Sequence, residues 1–387
     1  MDVPAIAGDP RFFARSGPHT AAVVAAACGA EVPASDLLLH GVAPLQSAGP
    51  EQISFIDNRR YARLLAETRA GAVIVHPDLA AKLPPTAVAL ITPEPYLAWA
   101  RTTALFHPPP PRAPGVHATA VVEAGAKIDA TAEIGPHAVV GAGASIGARC
   151  RIGAGAVIGP GVEIGPDCRI GAHASVSHAL IGARVYLYPG VRIGQEGFGF
   201  AITERGFVSV PQLGRVILED DVEVGANSTI DRGSVQDTVI GAGSRLDNLV
   251  QIGHNVRLGR CCVIVSQAGI SGSTVLEDFV MVGGQGGLTG HLHIGRKARI
   301  GAQAGVMSDV AAGTEVVGSP AMPVREFFRQ VAMLRRLAGQ KRSPPGATSG
   351  QAPGGKPAGA GSADGAGSAD GADSADGADR AERTDLD

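Results

Sequence analysis

The sequence feature that most constrains the fold is an aliphatic residue that recurs at every sixth position from residue 116 onward. In the first unbroken stretch these positions are Val116, Val122, Ile128, Ile134, Val140, Ile146, Ile152, Ile158, Ile164, Ile170 and Val176. Six residues form one short strand and one turn, so three such hexads make a triangular coil of about 18 residues. Stacked coils bury the aliphatic residues in one column, and many of the 54 glycines suit the tight corners. The pattern therefore predicts a parallel β-helix.

The hexad pattern shifts once and stops twice. Its register slips at residues 177–180, and it stops at residues 194–215, a stretch that carries three phenylalanines. It stops again at residues 231–239 and then runs without a break from 240 to 306. Because the aliphatic residues stay in phase only while the hexads continue, the two interruptions predict insertions into the β-helix.

The composition changes on either side of the hexads. Residues 1–106 combine a buried-strand pattern with helical spacing, which predicts a small α/β domain. Residues 107–115 are rich in proline, which fixes φ and removes hydrogen-bond donors, so they predict a stiff, extended hinge. The β-helix is expected over residues 116–318 and a C-terminal α-helix over residues 319–339. Residues 340–387 have almost no aliphatic side chains to bury and predict a disordered tail.

The composition argues against several classes of protein. The formal net charge is −3 and 18% of residues are charged, so the chain lacks the strong positive field of a general nucleic-acid binder. The five cysteines are odd in number and contain no CxxC pair, which argues against a disulfide framework or a structural zinc site. No window reaches about 18 apolar residues, and no signal peptide is evident. We expect a soluble cytoplasmic protein without stable membrane insertion.

One histidine stands in a pattern that suits proton transfer. His254 comes two places after an inward aliphatic residue of a hexad. A neutral imidazole can accept a proton near neutral pH, which suits a general base. Asp247 precedes it by seven residues, about one face of the coil, and is a candidate for orienting the imidazole. The alternative is a histidine that is only solvated or packed on the β-helix surface.

The coil period places two further residues near His254. Gly272 follows it by 18 positions and should stack on the next coil, where its backbone N–H could reach a developing oxyanion. The alternative is a glycine needed only for the corner. His291 lies two coils and one residue beyond His254, which puts it roughly 10 Å away in one chain. A neighbouring subunit could bring another copy closer.

The N-terminal region contains an aromatic–amide–aromatic motif. Phe55, Asn58 and Tyr61 are spaced three apart, and two rings with an amide between them could hold a pyrimidine and read its edge. The alternative is a helix start capped by Asn58 with two packed aromatics. Residues 58–68 have helical spacing with Tyr61, Leu64 and Leu65 on one side, and residues 70–75 predict a buried strand.

These motifs together resemble one family. They lie at residues 55–61, 197–200, 211–216, 229–233, 246–255 and 290–293, within a likeness that extends to about residue 338. The sequence closely resembles the UDP-3-O-acylglucosamine N-acyltransferases of lipid A biosynthesis, which are members of the hexapeptide-repeat transferase superfamily. The superfamily implies a left-handed β-helix; the periodicity alone does not indicate the hand. Where the family often has alanine before the catalytic histidine, this chain has Gly253.

The resemblance implies an activity and a role for each motif. A 3-hydroxyacyl chain would move from acyl carrier protein to the 2-amino group of UDP-3-O-(3-hydroxyacyl)glucosamine in a homotrimer, with active sites between adjacent β-helices. The family's general base matches His254, its acidic partner Asp247, its oxyanion-binding backbone Gly272 and its second active-site histidine His291. Its uracil-binding residues match Phe55, Asn58 and Tyr61. Aminolysis of a thioester needs no metal or redox cofactor, so none is expected.

Two other functions stay open at this stage. An O-acyltransferase acting on UDP-N-acetylglucosamine would share the β-helix, but such proteins lack the preceding α/β domain. A β-helical assembly protein or a zinc enzyme resembling carbonic anhydrase would use the β-helix differently, with His254, His291 and His293 as candidate ligands. The closely spaced histidine pair of those zinc sites is missing, and Asp247 and Asn255 suit a proton relay better.

Overall fold

The hexads form short strands that stack into three flat faces of a parallel β-helix. In this computed structural model, which describes residues 7–319 and 321–339, each face is one sheet. The first face consists of Gly115–Val116, Glu133–Ile134, Arg151–Ile152, Arg169–Ile170, Tyr186–Leu187, Glu223–Val224, Arg245–Leu246, Val263–Ile264, Met281–Val282, Arg299–Ile300 and Glu315–Val316. The second face consists of Val121–Val122, Val139–Val140, Val157–Ile158, Ser175–Val176, Arg192–Gln195, Thr229–Asp231, Gln251–Ile252, Gly269–Ile270, Gly287–Leu288 and Gly305–Val306. The third face consists of Lys127–Ile128, Ser145–Ile146, Glu163–Ile164, Ala179–Ile181, Val216–Leu218, Thr238–Ile240, Arg257–Leu258, Val275–Leu276 and His293–Ile294.

The inward aliphatic residues hold the coils together. Ile134 pairs with Ile152, 18 residues further on, and the same step joins Ile152 to Ile170. All three are at most 1% exposed. Burying an aliphatic side chain of this size contributes roughly 1.5–3 kcal/mol, so the column is the main source of stability. The predicted mainly β fold class, built around a parallel β-helix, is confirmed.

The first coil departs from the predicted burial. Val116 and Val122 are 49% and 41% exposed, although the hexad pattern places them inward. Their strands pair on one side only, with Glu133–Ile134 and Val139–Val140. An inward residue is fully buried only between two coils, so these valines form the open end of the column.

The register slip and the first interruption have simple structural forms. The slip shortens one hexad, yet Ile164 still pairs with Ile181, so the column continues. The first interruption is an antiparallel hairpin of Phe200–Thr203 and Gly206–Ser209. The second interruption contacts the first, because the Arg232 guanidinium donates hydrogen bonds to the carbonyl oxygens of Gln212 and Gly194. Both insertions therefore emerge together beside the second face.

The N-terminal part is an α/β structure, as predicted. Its parallel sheet consists of Gly41–Val42, Gln52–Phe55, Ala72–Val75 and Val88–Ile91, and a separate antiparallel pair consists of His19–Thr20 and Leu38–Leu39. Its helices are Ala21–Cys28, Pro77–Ala80 and Pro95–Phe106, with a 3-10 helix at Arg59–Leu65. The predicted strand at 70–75 is confirmed over Ala72–Val75, where every residue is buried. The predicted helix is the 3-10 turn, and its Tyr61 is 54% exposed while Leu65 is buried.

The proline-rich segment is attached to the first face of the β-helix. Arg151 Nη2 donates to the carbonyl oxygen of Pro110 (2.7 Å), and the N–H of Ala113 donates to Glu133 Oε2 (3.1 Å). Proline carbonyls remain available as acceptors although proline has no N–H. These bonds anchor the segment that joins the α/β part to the β-helix.

The helix Val324–Gly339 belongs to a second compact unit, which begins after residue 320. It confirms the predicted C-terminal helix, and its apolar residues, including Phe327, Phe328 and Leu334, are exposed within the unit. The predicted disordered tail, residues 340–387, lies outside the described residues. Across the described residues, no helix combines the length and the apolar character needed to cross a bilayer.

Candidate active site

A cavity of about 590 Å³ opens beside His254 on the second face. It is lined by Phe198, Asp231, Gln251, Gly253, His254, Gly269, Ile270, Ser271, Gly272, Gly287, Leu288, Thr289, Gly305, Val306 and Met307. The β-helix supplies the floor, and the first insertion contributes Phe198. Most of the lining is apolar or glycine, and the polar side chains gather at the end that holds His254.

Asn255 determines which nitrogen of His254 is free. His254 Nδ1 lies 2.8 Å from Asn255 Oδ1. The backbone N–H and the hydroxyl of Ser234 also lie 3.0 and 2.9 Å from that oxygen. A backbone N–H can only donate, so Asn255 Oδ1 is the acceptor and His254 Nδ1 must carry a proton. In the neutral imidazole Nε2 is then the free acceptor, which is the form that a general base needs.

Two glycines enclose the imidazole. A Cβ on Gly272 would lie 2.7 Å from both Cε1 and Nε2 of His254, and a Cβ on Gly197 would lie 2.6 Å from His254 Cβ. Any other residue at either position would displace the ring. The N–H of Gly272 donates no hydrogen bond within the described residues. The predicted stacking of Gly272 against His254 is therefore present, with a free backbone donor beside Nε2.

The single chain leaves Asp247 and His291 apart from this cavity. The Asp247 carboxylate accepts hydrogen bonds from the backbone N–H groups of Asn248 (2.8 Å) and Ser266 (3.2 Å). It lines a separate cavity of about 490 Å³ at the preceding corner. His291 lies at the same corner column as Asn255, and its N–H donates to the carbonyl oxygen of Gly272 (3.1 Å). Neither side chain lines the cavity of His254.

Asp231 is a site residue that sequence reasoning did not single out. It lines the cavity with His254 and is only 6% exposed. Burial raises the pKa of Asp231 above its usual range, while hydrogen bonds from Gln195 and Gln251 and the nearby His254 oppose that rise. Its place at the start of an interruption in the hexads was visible in the sequence. Its burial was not, because the insertions that cover it fold only in three dimensions.

Three glycines shape the long axis of the cavity. Gly269, Gly287 and Gly305 occupy the outward position of three successive strands on the second face. A Cβ on any of them would project into open space, so side chains there would fill the cavity. Because these three positions have no side chains, an apolar groove runs along the coils, away from His254.

The aromatic–amide–aromatic motif lines a second, apolar cavity of about 520 Å³ in the N-terminal part. Phe55, Asn58 and Tyr61 all line it. Asn58 also caps the 3-10 helix, since its side chain accepts a hydrogen bond from the N–H of Arg60 (3.0 Å). The capping and lining interpretations of this residue are therefore compatible.

Sequence reasoning missed two further rings in this cavity, those of Tyr96 and Trp99. Trp99 stacks on Phe55 with ring centroids 4.6 Å apart and planes 18° from parallel. It comes from the helix Pro95–Phe106, so its position depends on how that helix packs on the sheet. The Ser54 hydroxyl, also in the lining, is buried without a hydrogen-bond partner in the described part of the chain. The cavity thus offers aromatic rings and the Asn58 amide.

The histidines considered as metal ligands lie in different surroundings. His293 Nε2 is 3.2 Å from Glu277 Oε1 on the third face. His254 pairs with Asn255 beside the second face. Within the described residues, no group of three or more His, Cys, Asp or Glu side chains could hold a metal ion.

The chain combines a β-helix of hexads with a histidine side chain and a glycine backbone N–H beside an apolar groove. These features define a transferase of the hexapeptide-repeat class. The profile of bacterial transferase hexapeptides (six repeats) matches residues 143–178. The profile of the UDP-3-O-(3-hydroxymyristoyl) glucosamine N-acyltransferases, LpxD, matches residues 36–105. The two matches fall on the β-helix and on the N-terminal part.

Curated relatives extend the match over most of the chain. The UDP-3-O-acylglucosamine N-acyltransferase of Granulibacter bethesdensis is 67% identical over 339 residues, which cover 87% of this chain and 99% of the relative. That of a Methylobacterium species (strain 4-46) is 53% identical over 345 residues, covering 87% and 98%. Among solved structures, a UDP-N-acetylglucosamine acyltransferase from Francisella novicida is 21% identical with a TM-score of 0.40, over 56% of this chain and 73% of that one. The chain belongs to the UDP-3-O-acylglucosamine N-acyltransferase family and is an acyltransferase.

Proposed function

We propose that this acyltransferase moves a 3-hydroxyacyl chain from the thioester of acyl carrier protein to the 2-amino group of UDP-3-O-(3-hydroxyacyl)glucosamine, with His254 as general base. The observation that carries this proposal is the orientation of His254. Its Nδ1 proton is held by Asn255, so Nε2 is the free acceptor beside the unused N–H of Gly272. A base and an oxyanion donor side by side are what aminolysis of a thioester requires.

The reaction uses these two groups in sequence. The acceptor amine attacks the thioester carbonyl carbon, and His254 Nε2 takes a proton from the attacking nitrogen. The carbonyl oxygen becomes an oxyanion, and the N–H of Gly272 donates a hydrogen bond to it. The carbon–sulfur bond then breaks, and the imidazolium returns its proton to the leaving sulfur. The products are an amide and the free thiol of the carrier.

The glycine groove is the proposed seat of the acyl chain. Gly269, Gly287 and Gly305 leave open space along three coils, and strands about 4.8 Å apart give the groove its length. An extended hydrocarbon chain fits a groove of this shape, and its apolar surface is then removed from water.

The N-terminal cavity is the proposed site for the uridine of the acceptor. Phe55 stacks on Trp99 and lies beside Tyr96, and these rings give the cavity an aromatic wall for a flat base. The Asn58 amide supplies a polar group for the edge of a pyrimidine. These features support nucleotide binding, since aromatic rings and an amide line one cavity.

A homotrimer is part of the proposal, because one chain leaves two predicted site residues unused. Asp247 lies at the corner that precedes His254, in its own cavity. When parallel β-helices are arranged around a threefold axis, residues at the same height on different faces meet across the interface. We assign Asp247 and His291 to such composite sites between subunits.

The acyl carrier protein is the proposed donor on grounds of charge. The exposed helix Val324–Gly339 carries Arg325, Arg329, Arg335 and Arg336. Exposed arginines of this kind attract an acidic partner and guide its approach. The five cysteines are free thiols, which fits the reducing cytoplasm where such a carrier works.

The test is acyl transfer from 3-hydroxyacyl carrier protein to two acceptors in parallel. Amide formation with UDP-3-O-(3-hydroxyacyl)glucosamine and no transfer to UDP-N-acetylglucosamine is the expected result. Transfer to UDP-N-acetylglucosamine alone would mean that the chain is an O-acyltransferase. The absence of transfer to either acceptor would overturn the proposed function.

A further inference from the structure

A carboxyl group lies buried in the His254 cavity without an ion-pair partner. Asp231 is 6% exposed, and no arginine or lysine among the described residues forms an ion pair with it. The neighbouring Arg232 turns away, since its guanidinium donates to two backbone carbonyls and to the carboxylate of Glu196 (2.7 Å). A buried carboxylate normally has a cation or several donors to offset its lost hydration.

Two neutral amides hold this carboxylate in place. Gln195 Nε2 donates to Oδ1 (2.8 Å), and Gln251 Nε2 donates to Oδ2 (2.9 Å). Gln251 is in turn hydrogen-bonded to the hydroxyl of Thr229. A carboxylate offers about four acceptor positions, so roughly half remain free. Asp231 is oriented by its neighbours but keeps capacity for a further donor.

A group that donates to the free acceptor positions of Asp231 must fit this cavity. Asp231 shares the cavity with His254 and Gly272, the two residues that the proposed reaction places around the reacting atoms. A primary amine supplies several N–H donors, and in its protonated form it supplies the positive charge as well. The amino group of the acceptor is the one group of this kind that the reaction brings to the cavity.

We propose that Asp231 binds the 2-amino group of the acceptor and orients its lone pair toward the thioester carbonyl. This inference rests on the proposed function. One N–H of the amine donates to the Asp231 carboxylate, which stays ionised throughout. A second N–H donates to His254 Nε2, which takes that proton as the carbon–nitrogen bond forms and later gives it to the sulfur. The contact also selects an amine over a hydroxyl, because a hydroxyl has a single hydrogen and cannot donate to both groups.

The competing explanation is a structural one. Asp231 ends the strand Thr229–Asp231 at the point where its pairing with Arg192–Gln195 shifts register. Its bonds to Gln195 and Gln251 could serve only to hold that irregular strand end. A structural role affects stability, whereas an amine-binding role changes the preference between amine and hydroxyl ligands.

The test compares two ligands on the full-length protein without acyl donor. Calorimetry measures the Kd of UDP-3-O-(3-hydroxyacyl)glucosamine and of its analogue with a 2-hydroxyl in place of the amine. The wild-type protein is expected to bind the amine at least about tenfold more tightly, as for a hydrogen bond to a charged group. In Asp231→Asn the preference should disappear, and kcat/KM for the amine should fall roughly tenfold to a hundredfold. Asp221→Asn removes an exposed carboxylate paired with Arg184 and should change neither value.

The outcomes separate this inference from the proposed function. If wild-type protein acylates the amine but binds both ligands equally, the inference is wrong while the proposed function stands. An unchanged preference in folded Asp231→Asn would also overturn it. If wild-type protein transfers no acyl group, the proposed function itself fails. The wild-type comparison needs no variant, so the inference can be tested even if Asp231→Asn does not fold.

Discussion

At the scale of single residues, the chemistry of His254 depends on neighbours that are distant in sequence. Ser234, 20 positions earlier, determines that Asn255 Oδ1 is an acceptor, and Asn255 thereby determines the tautomer of the imidazole. Gly197 and Gly272 then limit where the ring can lie. A histidine on a half-buried coil corner becomes a candidate base because these residues hold one nitrogen and leave the other free.

His254→Ala is expected to lower kcat by on the order of a hundredfold or more, because a general base is lost while the substrate sites remain. Steady-state transfer assays on the folded variant measure this. His117→Ala removes an exposed histidine of the first coil and serves as the control, with turnover near that of the wild type. Near-normal kcat in folded His254→Ala would exclude the base role.

The stability of Asp231→Asn relative to the wild type should increase as pH rises from strong acid to neutral. Burial raises the pKa of Asp231 in the folded protein, so the ionised form costs folding free energy. That cost is absent below the unfolded pKa of about 3.9 and develops fully as pH rises through the higher folded pKa. Thermal unfolding of both proteins across this range measures the difference, which should grow with pH.

The sign of the effect distinguishes a buried carboxylate from a paired one. Arg184 lowers the pKa of Asp221, so Asp221→Asn should lose a little stability at neutral pH and nothing in strong acid. A stability difference for Asp231→Asn that shrinks as pH rises would contradict the assignment of a raised pKa.

At the scale of secondary-structure elements, each part of the chain offers a different kind of surface. The second face of the β-helix provides a groove because its outward positions are glycine over three coils. The N-terminal sheet provides a flat aromatic surface because the helix Pro95–Phe106 places Trp99 against Phe55. An apolar chain and a planar base are thus expected on separate elements of one enzyme.

Trp99 is the one tryptophan in the chain, so its fluorescence reports directly on the N-terminal cavity. We expect addition of UMP to quench this fluorescence, because the base would stack on the ring that Trp99 contacts. Asn58→Ala should weaken UMP binding by roughly 0.5–1.5 kcal/mol through one lost hydrogen bond. Arg60→Ala, an exposed change two residues away, is the matched control. No response to UMP in the wild-type protein would argue against a uridine site.

At the scale of the whole molecule, the proposed active site would be complete only in the proposed trimer. His254 and Asp247 lie in two different cavities of one chain. If Asp247 acts across an interface, each active site takes these two residues from different subunits. The activity should then depend on how variant chains are mixed.

Co-expression of His254→Ala chains with Asp247→Asn chains should restore activity that each variant alone lacks. Random assembly places an intact His254 against an intact Asp247 at about a quarter of the interfaces. Transfer assays on the purified mixture measure the recovery. As control, His254→Ala chains mixed with chains carrying both substitutions should stay inactive. If the first mixture is also inactive, Asp247 does not act on His254 from a neighbouring subunit.

Much of the fold could be predicted from the local pattern of the sequence. Aliphatic residues every six positions predict the strand, the turn and the inward-facing side chain together, because each hexad has the same local structure. Ile152 and Ile170 stack as the period requires. The burial of side chains in the first coil was less predictable. Val116 is exposed because a coil packs on only one side of it. Burial of an inward position requires neighbours that no single hexad encodes.

The sequence by itself determined the β-helix, the position of Gly272 next to His254, and the motif that lines the N-terminal cavity, because periodicity and short spacing convert directly into contacts. Only the tertiary structure decided that Asn255 orients the imidazole, that Trp99 stacks on Phe55, and that Asp231 is buried. The first and the last of these depend on segments that interrupt the repeat, through Ser234 and Gln195, and the ring stacking lies outside the repeat. Their partners are chosen by packing, and packing is a property of the folded chain.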